Sequence, residues 1–308
     1  MGRYSILIPT RNRPHKVTQL LKSISLSTVK PHQIVIVASG EDIASQLEIF
    51  NSTLPITYLH TEISGQIHQK KLGISLLNPG AEWCLFLDDD LELHSNAIEI
   101  AFREVSSSEL HQVVGIGFSL PVTSRVISSS RTVLFLAALI GLNTKRLGRV
   151  LKSGHATSYL QSENTIQTEW LNGASMWRTE LLVHYGSDLP STRYAACEDL
   201  IFSFPLNKYG KLIYIPDSKL SFQDDEFTNF DSYEVIKAAT YWRYYFVKTN
   251  PRLSVGAFLV SQVGRVFYAT VKKKNKRTEF VFKVIKIHVH LLQNILRRRS
   301  PLELLVET

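Results

Sequence analysis

Three consecutive carboxylates, Asp88, Asp89 and Asp90, follow the apolar run of residues 84–87. Adjacent carboxylates at the end of a strand repel one another unless a cation lies among them. A hard divalent ion prefers oxygen ligands and also bridges to phosphate groups, so the triplet indicates a metal site for a phosphorylated substrate. The competing interpretation is an acidic turn in solvent or at a helix N-terminus, where carboxylates are favoured without any metal.

Polar and cationic side chains elsewhere suit the same kind of substrate. Residues 10–13, Thr-Arg-Asn-Arg, follow the first apolar run and offer a hydroxyl, an amide and two guanidinium groups to a phosphate. Lys70 and Lys71 lie on a predicted helix before the acidic run, although two lysines are also typical of a solvated helix face. Together with an α/β sheet, these carboxylates and cations predict a site for a nucleotide diphosphate.

The scaffold for these residues is indicated by alternating strand-like and helix-like patterns in the first ninety residues. Apolar runs predict strands at residues 5–8, 34–37, 56–59 and 83–87, with helices at 17–24, 43–50 and 67–77 between them. A later strand is predicted at residues 212–215, before Pro216. Such alternation predicts a mostly parallel sheet with crossover helices. Ligands bind beyond the carboxyl ends of parallel strands, which selects residues 10–13, 38–40 and 88–90.

The order of these motifs resembles the inverting glycosyltransferases of family 2, and the similarity extends from about Tyr4 to Phe222. Each motif alone is weak, but the motifs occur in the family's order. The matching segments are residues 8–13 (Ile-Pro-Thr-Arg-Asn-Arg), 70–74 (Lys-Lys-Leu-Gly-Ile), 87–90 (Leu-Asp-Asp-Asp), 173–178 (Gly-Ala-Ser-Met-Trp-Arg) and 198–202 (Glu-Asp-Leu-Ile-Phe). The resemblance implies an α/β fold of the GT-A type, with a mostly parallel nucleotide-diphospho-sugar transferase sheet and flanking helices.

The resemblance also implies roles for particular residues. Asp90 is expected to bind a divalent Mn²⁺ or Mg²⁺ ion directly, and Asp88 to bind the metal or the nucleotide ribose. Asp199 is expected to be the base that deprotonates the acceptor hydroxyl, with Glu198 positioning the acceptor or the base. Without the other motifs, that pair would indicate only a helix N-terminus. The residues expected to bind the nucleotide sugar are Pro9, Thr10, Arg11, Arg13, Ser39, Lys70, Asp88, Asp89, Gly173 and Ala174.

The sequence departs from the family pattern at two places. The family's Asp after the second strand, which contacts the nucleobase, is not found there. That contact is therefore expected from Ser39, Asp42 or the backbone, and the nucleobase stays open. A His after the late strand, which is a metal ligand in many members, is absent from residues 220–225. The metal is therefore expected to rely on Asp90, the diphosphate and water.

Positive charge is concentrated near the C-terminus. The chain carries a formal net charge of +8, and residues 237–300 contain 15 Lys/Arg against one acidic residue, Glu279. In residues 280–296, basic positions recur every three or four residues beside an apolar face that consists of Phe282, Ile285, Val289, Leu292 and Leu296. This pattern predicts a basic amphipathic helix in a membrane interface. A helix packed on the core would explain the periodicity but not the charge excess, and a nucleic-acid tail would interleave exposed aromatics.

Composition and length lead to the remaining expectations. The two cysteines, Cys84 and Cys197, are too few for a disulfide scaffold. The sequence contains no run of 18 uncharged apolar residues, so no membrane-spanning helix is predicted. The first strand follows residues 1–3 directly, without a secretory signal. We therefore predict a GT-A domain over residues 1–236 and a basic amphipathic helical, membrane-associating segment over residues 237–308. The expected location is cytoplasmic, peripherally associated with the inner face of the cell membrane.

The predicted function is a metal-dependent inverting glycosyltransferase in cell-surface polysaccharide synthesis. Its expected partners are a nucleotide-sugar donor, a glycan or lipid-linked acceptor and an anionic membrane surface, with no nucleic acid. One alternative is a sugar-nucleotide pyrophosphorylase, which would need a Gly-rich phosphate loop that residues 9–14 lack. Another is a non-catalytic membrane or nucleic-acid adaptor with a transferase-like body, against which the intact Asp88, Asp90 and Asp199 argue.

Overall fold

The computed structural model of the chain describes residues 2–106, 112–121, 138, 140–142, 144–186, 189–192, 195–224, 232–272 and 277–306. The chain divides into two compact units. The first comprises Met1–Ser124, Tyr159–Ser191 and Phe202–Glu226, and the second comprises Arg125–Ser158, Thr192–Ile201 and Phe227–Thr308. The second unit thus combines the predicted C-terminal segment with two earlier stretches of chain. The predicted domain boundary after residue 236 stays a prediction.

The first unit is built on a sheet whose first four strands are parallel, as the alternating pattern predicted. They are β1 (Tyr4–Arg11), β2 (Gln33–Ser39), β3 (Ile56–Thr61) and β4 (Trp83–Phe86), in the spatial order β3-β2-β1-β4. The connections contain α1 (Pro14–Ser25), α2 (Ala44–Leu47), a 3₁₀ turn at Glu48–Phe50 and α3 (Gln66–Ser75). Thr10 pairs with Ala38 and Arg11 with Ser39. The carboxyl ends of β1 and β2 therefore meet at one edge of the sheet.

The later strands join the sheet mainly in antiparallel pairs. They are β5 (Leu91–Leu93), β6 (Val113–Ser119), β7 (Ile166–Thr168), β8 (Ser175–Arg178) and β9 (Lys211–Phe222), and they follow β4 in the order β8-β6-β9-β5, with β7 on β9. Only β6 and β9 pair in parallel among them. The helices α4 (Ala97–Ser106) and α5 (Thr179–Tyr185) belong to the same unit. The predicted α/β class is confirmed, and among the strands that the structure describes, parallel pairing is confined to β1–β4 and to β6 with β9.

The packing beneath the strand ends follows from the sequence. β1 and β2 are buried along almost their whole length, as expected for apolar strands that are covered on both faces. In α1 the predicted apolar stripe is buried. Gly73 lets α3 approach β1 closely, because a Cβ atom there would lie 2.7 Å from Cδ1 of Leu7. The helix and strand that carry candidate site residues are thus held at a fixed separation.

Two predicted elements differ from the structure. The helix expected at residues 43–50 contains only four α-helical residues before the 3₁₀ turn, and its Ile49 is exposed to solvent. The strand expected to end before Pro216 continues to Phe222. Pro216 is tolerated because the β6–β9 register is irregular there, with Ile215 paired and the next pair at Lys219.

The second unit is helical. The helix α6 (Glu198–Leu206) begins in it, and its other helices are α7 (Tyr233–Thr249), α8 (Val255–Lys272), α9 (Arg277–Leu296) and α10 (Pro301–Val306). The side chain of Ser232 caps α7 by accepting from the N–H of Val235. The helices α7, α8 and α9 pack on one another around Ile236, Val284 and Ile287. Within the described ranges, no helix has the length and apolarity needed to cross a membrane.

The predicted amphipathic helix is present as α9, but a different apolar stripe packs against the unit. Val284, Ile287 and Leu291 are buried. The face that the sequence pattern assigned to a membrane interface is exposed, with relative accessibilities of 71% for Phe282, 39% for Ile285, 47% for Val289, 46% for Leu292 and 81% for Leu296. Most of the basic cluster that precedes this helix, residues 273–276, lies outside the described residues.

Candidate active site

The acidic triplet lies between β4 and β5, and its three carboxylates have different surroundings. The side chain of Asp89 is only 8% exposed. Its Oδ2 accepts a hydrogen bond from Thr10 Oγ1 at 2.6 Å, and its Oδ1 accepts one from Arg13 Nη1 at 3.1 Å. Asp89 therefore joins the acidic turn to the end of β1, and both of its carboxylate oxygens already accept hydrogen bonds from protein side chains.

Asp88 and Asp90 are left with more of their charge available. Asp88 Oδ1 accepts from Gln66 Nε2 at 2.8 Å, an uncharged donor. The side chain of Asp90 is 40% exposed, and its nearest cation, Nη1 of Arg13, lies 3.7 Å from its Oδ2. Arg13 is itself half-exposed and is shared with Asp89, so it compensates Asp90 weakly.

The pKa shifts in the triplet follow from this geometry. Desolvation raises the pKa of Asp90, and repulsion from Asp88 and Asp89 adds to the rise, with only Arg13 opposing it among the charges. Desolvation also raises the pKa of Asp89, against the hydrogen bond from Thr10 and the charge of Arg13. Asp88 and Asp90, two carboxylates without enough counter-charge, therefore form a site that favours a cation.

This donor set fits a divalent ion that also binds the substrate. Asp88 and Asp90 would supply hard oxygen ligands, which Mn²⁺ and Mg²⁺ prefer. In the described part of the chain, no group of three or more His, Cys, Asp and Glu side chains could hold a metal ion. That diphosphate oxygens and water fill the remaining coordination positions stays a prediction. Asp89, which was expected to contact the nucleotide sugar, has its carboxylate turned to Thr10 and Arg13.

Three glutamines that were not predicted as site residues hold the site together. Gln66 contacts Asp88, as described above. Gln69 is buried, and its Nε2 donates to the carbonyls of Thr10 at 2.6 Å and Val37 at 2.7 Å, which ties the ends of β1 and β2 to α3. For Gln66 and Gln69, the only sequence signal was their position on the helix that carries Lys70.

The third glutamine, Gln223, lies in the segment where many family members have a His. Its Nε2 lies 3.0 Å from each of the carbonyl oxygens of Lys16, Asp89 and Leu91. Its backbone N–H donates to the carbonyl of Asp90 at 2.9 Å. Gln223 thus fastens the acidic turn to α1 through its amide. The next residue, Asp224, forms an ion pair with Lys16.

The end of β2 has an unusual backbone and an unsatisfied hydroxyl. Ser39 is fully buried, and its Oγ has no partner among the residues that the structure describes. The following Gly40 has φ +79°, and a Cβ atom there would lie 2.1 Å from Asn12 Oδ1, so only glycine fits. Asn12 Oδ1 in turn accepts from the N–H of Glu41 at 2.8 Å. This arrangement brings the β1 and β2 turns together beside Ser39.

Asp42, the other candidate for a nucleobase contact, is engaged locally. Its Oδ1 accepts from the hydroxyl of Tyr58 at 2.7 Å and from the N–H of Ala44 at 3.0 Å. The hydrogen bond from Tyr58 is the main reason that the pKa of Asp42 is lowered. Asp42 therefore remains a carboxylate, but one of its oxygens already has two donors.

The other expected donor-binding residues differ in how accessible they are. Pro9 is buried within β1, whereas Arg11 is exposed at the end of that strand. Lys70 Nζ lies 5.6 Å from the centre of the Phe86 ring, a cation–π arrangement that directs it toward β4.

Gly173 lies close to the acidic triplet. A Cβ atom at Gly173 would be 3.6 Å from Asp88 Oδ2, so the backbone before β8 passes next to the triplet. Ala174 is buried. The structure therefore brings Thr10, Arg13, Asp88, Asp89, Asp90 and Gly173 into one neighbourhood of the first unit.

The expected base and its neighbour lie at the start of α6, in the part of the helix that belongs to the second unit. Glu198 and Asp199 are both partly exposed. Asp199 Oδ1 accepts from the N–H of Leu200 at 2.8 Å. Cys197 before them has φ +59°, a left-handed conformation that a non-glycine residue rarely adopts. The chain thus enters the helix through a strained residue, and such strain is often found at functional sites.

Comparisons with known proteins agree with the predicted family. The model of the family described as Glycosyl transferase family 2 matches residues 5–162, slightly more than half of the chain. An uncharacterised glycosyltransferase of Rickettsia conorii is 29% identical over 103 residues, which are 33% of this chain and 17% of that protein. An uncharacterised glycosyltransferase of Rickettsia felis is 28% identical over 103 residues, with the same coverage. The matched region is therefore a small part of these curated relatives.

Solved structures share the fold over nearly the whole chain. Staphylococcus aureus TarS 1–349 in complex with UDP-GlcNAc has a TM-score of 0.56 at 14% identity, covering 94% of this chain and 81% of that chain. The mannosyltransferase PcManGT from Pyrobaculum calidifontis, in complex with GDP-Man and Mn²⁺, has a TM-score of 0.54 at 12% identity, covering 98% and 82%. The likeness confirms the predicted GT-A type of fold.

Proposed function

The chain belongs to glycosyl transferase family 2, and we propose that it is a metal-dependent inverting glycosyltransferase. It transfers a sugar from a nucleotide-diphosphate donor to a glycan or lipid-linked acceptor. One observation carries the proposal. Asp88 and Asp90 present incompletely compensated carboxylates after β4, whereas the middle carboxylate, Asp89, is used to hold the turn. A turn that served structure alone would not keep two further carboxylates with so little counter-charge.

The donor half of the proposed reaction belongs to the first unit. Asp90 and Asp88 would hold the divalent ion, which when bound would supply positive charge to neutralise the departing diphosphate. Arg11, Arg13 and Lys70 provide cationic groups for phosphate oxygens, and the amides Gln69 and Gln223 fix the strand ends from which they project. TarS and PcManGT are described with UDP-GlcNAc and GDP-Man, which supports a nucleotide-sugar donor.

The nucleoside contact of the proposal is assigned to Ser39. Its buried Oγ lacks a partner in the described structure, and a buried hydroxyl without a hydrogen bond is costly. A ribose hydroxyl or a base atom would satisfy it. Asp42 is the weaker candidate, because Tyr58 and Ala44 already donate to it.

The acceptor half of the proposed reaction uses Asp199. Inversion requires that the acceptor hydroxyl lose its proton as it attacks the anomeric carbon, and a partly exposed carboxylate can accept that proton. Glu198 beside it positions the acceptor or the base.

The proposal places the protein on an anionic membrane through α9. The exposed stripe from Phe282 to Leu296 is apolar, and exposed basic residues such as Lys286, Arg297 and Arg298 lie beside it or follow it. Exposed apolar residues next to basic ones match a headgroup interface, where the apolar side chains insert and the cations contact lipid phosphates. Nucleic acid would gain nothing from the aliphatic part of the stripe.

The decisive experiment screens nucleotide sugars with the purified full-length protein. A correct donor should raise the melting temperature only with Mn²⁺ or Mg²⁺, and should then release nucleotide diphosphate. A pyrophosphorylase would instead convert the donor and added pyrophosphate to nucleoside triphosphate. An adaptor would show neither product, and either of these results would contradict the proposal.

A further inference from the structure

The second unit contains a cluster of cationic side chains to which the proposed reaction assigns no role. Arg243 of α7 donates through Nη2 to Cys197 Sγ at 3.1 Å and through Nε to the carbonyl of Gly154 at 3.2 Å. Gly154 has φ +76°, and a Cβ atom there would lie 2.6 Å from Cγ2 of Val247, so glycine is needed for this loop to lie on α7. The next residue in the loop is His155, and both Arg243 and, from α8, Arg265 lie near enough to His155 to act on its charge.

Two nitrogen atoms of the cluster are enclosed and have no hydrogen-bond partner among the residues that the structure describes. They are Nη1 of Arg265, whose side chain is otherwise partly exposed, and Nε2 of His155. Over the described ranges, no carboxylate forms an ion pair with Arg243 or Arg265. Enclosed donors and charges are normally paired in folded proteins, because leaving them unpaired is costly. These donors are thus arranged as if for a group from outside the chain.

The charge state of the cluster is positive at neutral pH. Burial, and then repulsion by Arg243, lowers the pKa of Arg265 to about 10, so this side chain stays charged. Burial, strengthened by Arg243 and Arg265, lowers the pKa of His155, so its imidazole is neutral. Burial raises the pKa of the Cys197 thiol, so the sulfur supplies no negative charge. Glu198 and Asp199 lie near enough to act on the Cys197 thiol, but in the described ranges neither forms an ion pair with Arg243 or Arg265, so the two guanidinium charges have no direct counter-ion.

We propose that Arg243, Arg265 and His155 form a binding site for a phosphate group. Guanidinium groups present planar arrays of N–H donors that match phosphate oxygens, and an imidazole adds a further donor. Two fixed positive charges suit a doubly charged tetrahedral anion better than a single carboxylate.

The position of the site indicates which substrate carries the phosphate. Cys197, which contacts Arg243, directly precedes Glu198 and Asp199. Resting on the proposed role of Asp199 as the base, the bound phosphate belongs to the acceptor. The acceptor is then a phosphate-bearing glycan or lipid rather than a neutral sugar.

The test measures the melting temperature of the full-length protein in sulfate or phosphate against chloride at equal ionic strength. The wild type should show a rise that grows with the logarithm of the anion concentration and reaches about 2 °C at ten times the dissociation constant. Acetate should give a much smaller rise. Arg265→Gln should abolish the response, while in chloride it should melt no lower than the wild type, because a repelled and unpartnered charge has been removed. Arg265→Lys should keep part of the response.

The matched control is Lys248→Gln, which removes an exposed positive charge from the helix that carries Arg243. This variant should keep the full response to sulfate. The proposal is overturned if the wild type shows no such response, if acetate is as effective as sulfate, or if Arg265→Gln melts lower and keeps the response. The measurement needs neither donor nor acceptor, so it succeeds or fails independently of the transferase activity. If activity is found, phosphate should then compete with the acceptor; competition with the donor would contradict the acceptor assignment.

Discussion

At the scale of single residues, the acidic triplet divides its work between structure and chemistry. Asp89 is buried and accepts from Thr10 and Arg13, so Asp89→Asn should lower stability by about 1–3 kcal/mol, the usual cost of weakening a buried charged hydrogen bond. Asp90→Asn removes a carboxylate that its neighbours repel, so the metal-free protein should melt at the same temperature or higher. Only the latter variant should lose Mn²⁺-dependent donor binding while staying fully folded. Thermal unfolding with and without Mn²⁺ and donor separates the two, and unchanged metal-dependent binding in Asp90→Asn would contradict the assignment.

The proposed base can be tested separately from the donor site. Asp199→Asn keeps the shape of the side chain but cannot accept a proton at neutral pH, so turnover should fall by roughly a hundredfold or more. Donor affinity should barely change, because the base acts on the other substrate. Glu198→Gln is the matched control, and it should reduce turnover less. Turnover in Asp199→Asn close to that of the wild type would transfer the role of the base to another group.

The sequence identified the charged residues of the site but not the amides that hold them. Asp88 and Asp90 stood out because like charges at a strand end need an explanation. Gln69 and Gln223 carry no charge, and their partners lie far away in the sequence. Their hydrogen bonds depend on how α3 and the end of β9 pack against β1 and the acidic turn, which no local pattern records.

Gln223→Leu should therefore weaken metal-dependent donor binding, measured by titration, in a protein that thermal unfolding shows to be still folded.

At the scale of elements, the strands were predictable because their runs are short, almost entirely apolar and separated by helix-like patterns, and residues 34–37 are β-branched throughout. The helix expected at residues 43–50 was predicted too long. Its apolar stripe is broken at Ile49, which is exposed to solvent and lies in a 3₁₀ turn. In α9 the periodicity was real, but the helix has two apolar stripes, and tertiary packing chose Val284, Ile287 and Leu291. Sequence periodicity gives the presence of an apolar face, whereas the packing partner decides which face is buried.

The stripe left exposed on α9 leads to a prediction about membranes. Phe282→Ser together with Leu292→Ser should remove most of the salt-resistant part of binding to anionic vesicles, since charge alone is screened at high salt. Vesicle sedimentation at low and high salt measures both parts. Val183→Ser, at an exposed apolar residue of α5, is the matched control and should leave sedimentation unchanged. Wild-type binding that disappears entirely at high salt would show that the stripe does not insert.

At the scale of the whole molecule, the chain combines an α/β unit and a helical unit that the linear sequence does not separate cleanly. Residues 192–201, which contain the proposed base, belong to the helical unit, although they are surrounded in sequence by segments of the α/β unit. Composition gave a basic C-terminal region, but it did not indicate that Arg243 and Arg265 would meet His155, a residue about ninety positions or more away. Such clusters arise from tertiary contacts between segments whose local patterns are unremarkable.

This cluster makes the stability of the molecule depend on pH. The pKa of His155 is lowered well below its ordinary value of 6.5 by burial and by the charges of Arg243 and Arg265. As the pH falls through 6.5, His155 is protonated in the unfolded chain but stays neutral in the folded protein. The free energy of unfolding should therefore decrease. Between pH 7.5 and 5.5 this residue should cost about 1 kcal/mol. His288, whose pKa is lowered chiefly by burial, adds in the same direction.

Denaturant unfolding at the two pH values measures this loss. His155→Gln should flatten the dependence, whereas His184→Gln, at an exposed histidine, should leave it unchanged. Sulfate, which stays doubly charged over this range, would supply the counter-charge that His155 lacks, so it should stabilise the wild type more at pH 5.5 than at pH 7.5. A larger sulfate effect at pH 7.5 would show that His155 does not face the anion. An equal pH dependence in His155→Gln would show that the loss of stability does not come from protonation of His155 in the unfolded chain. The pH dependence and the phosphate site therefore stand on the same three side chains and can be tested on one protein preparation.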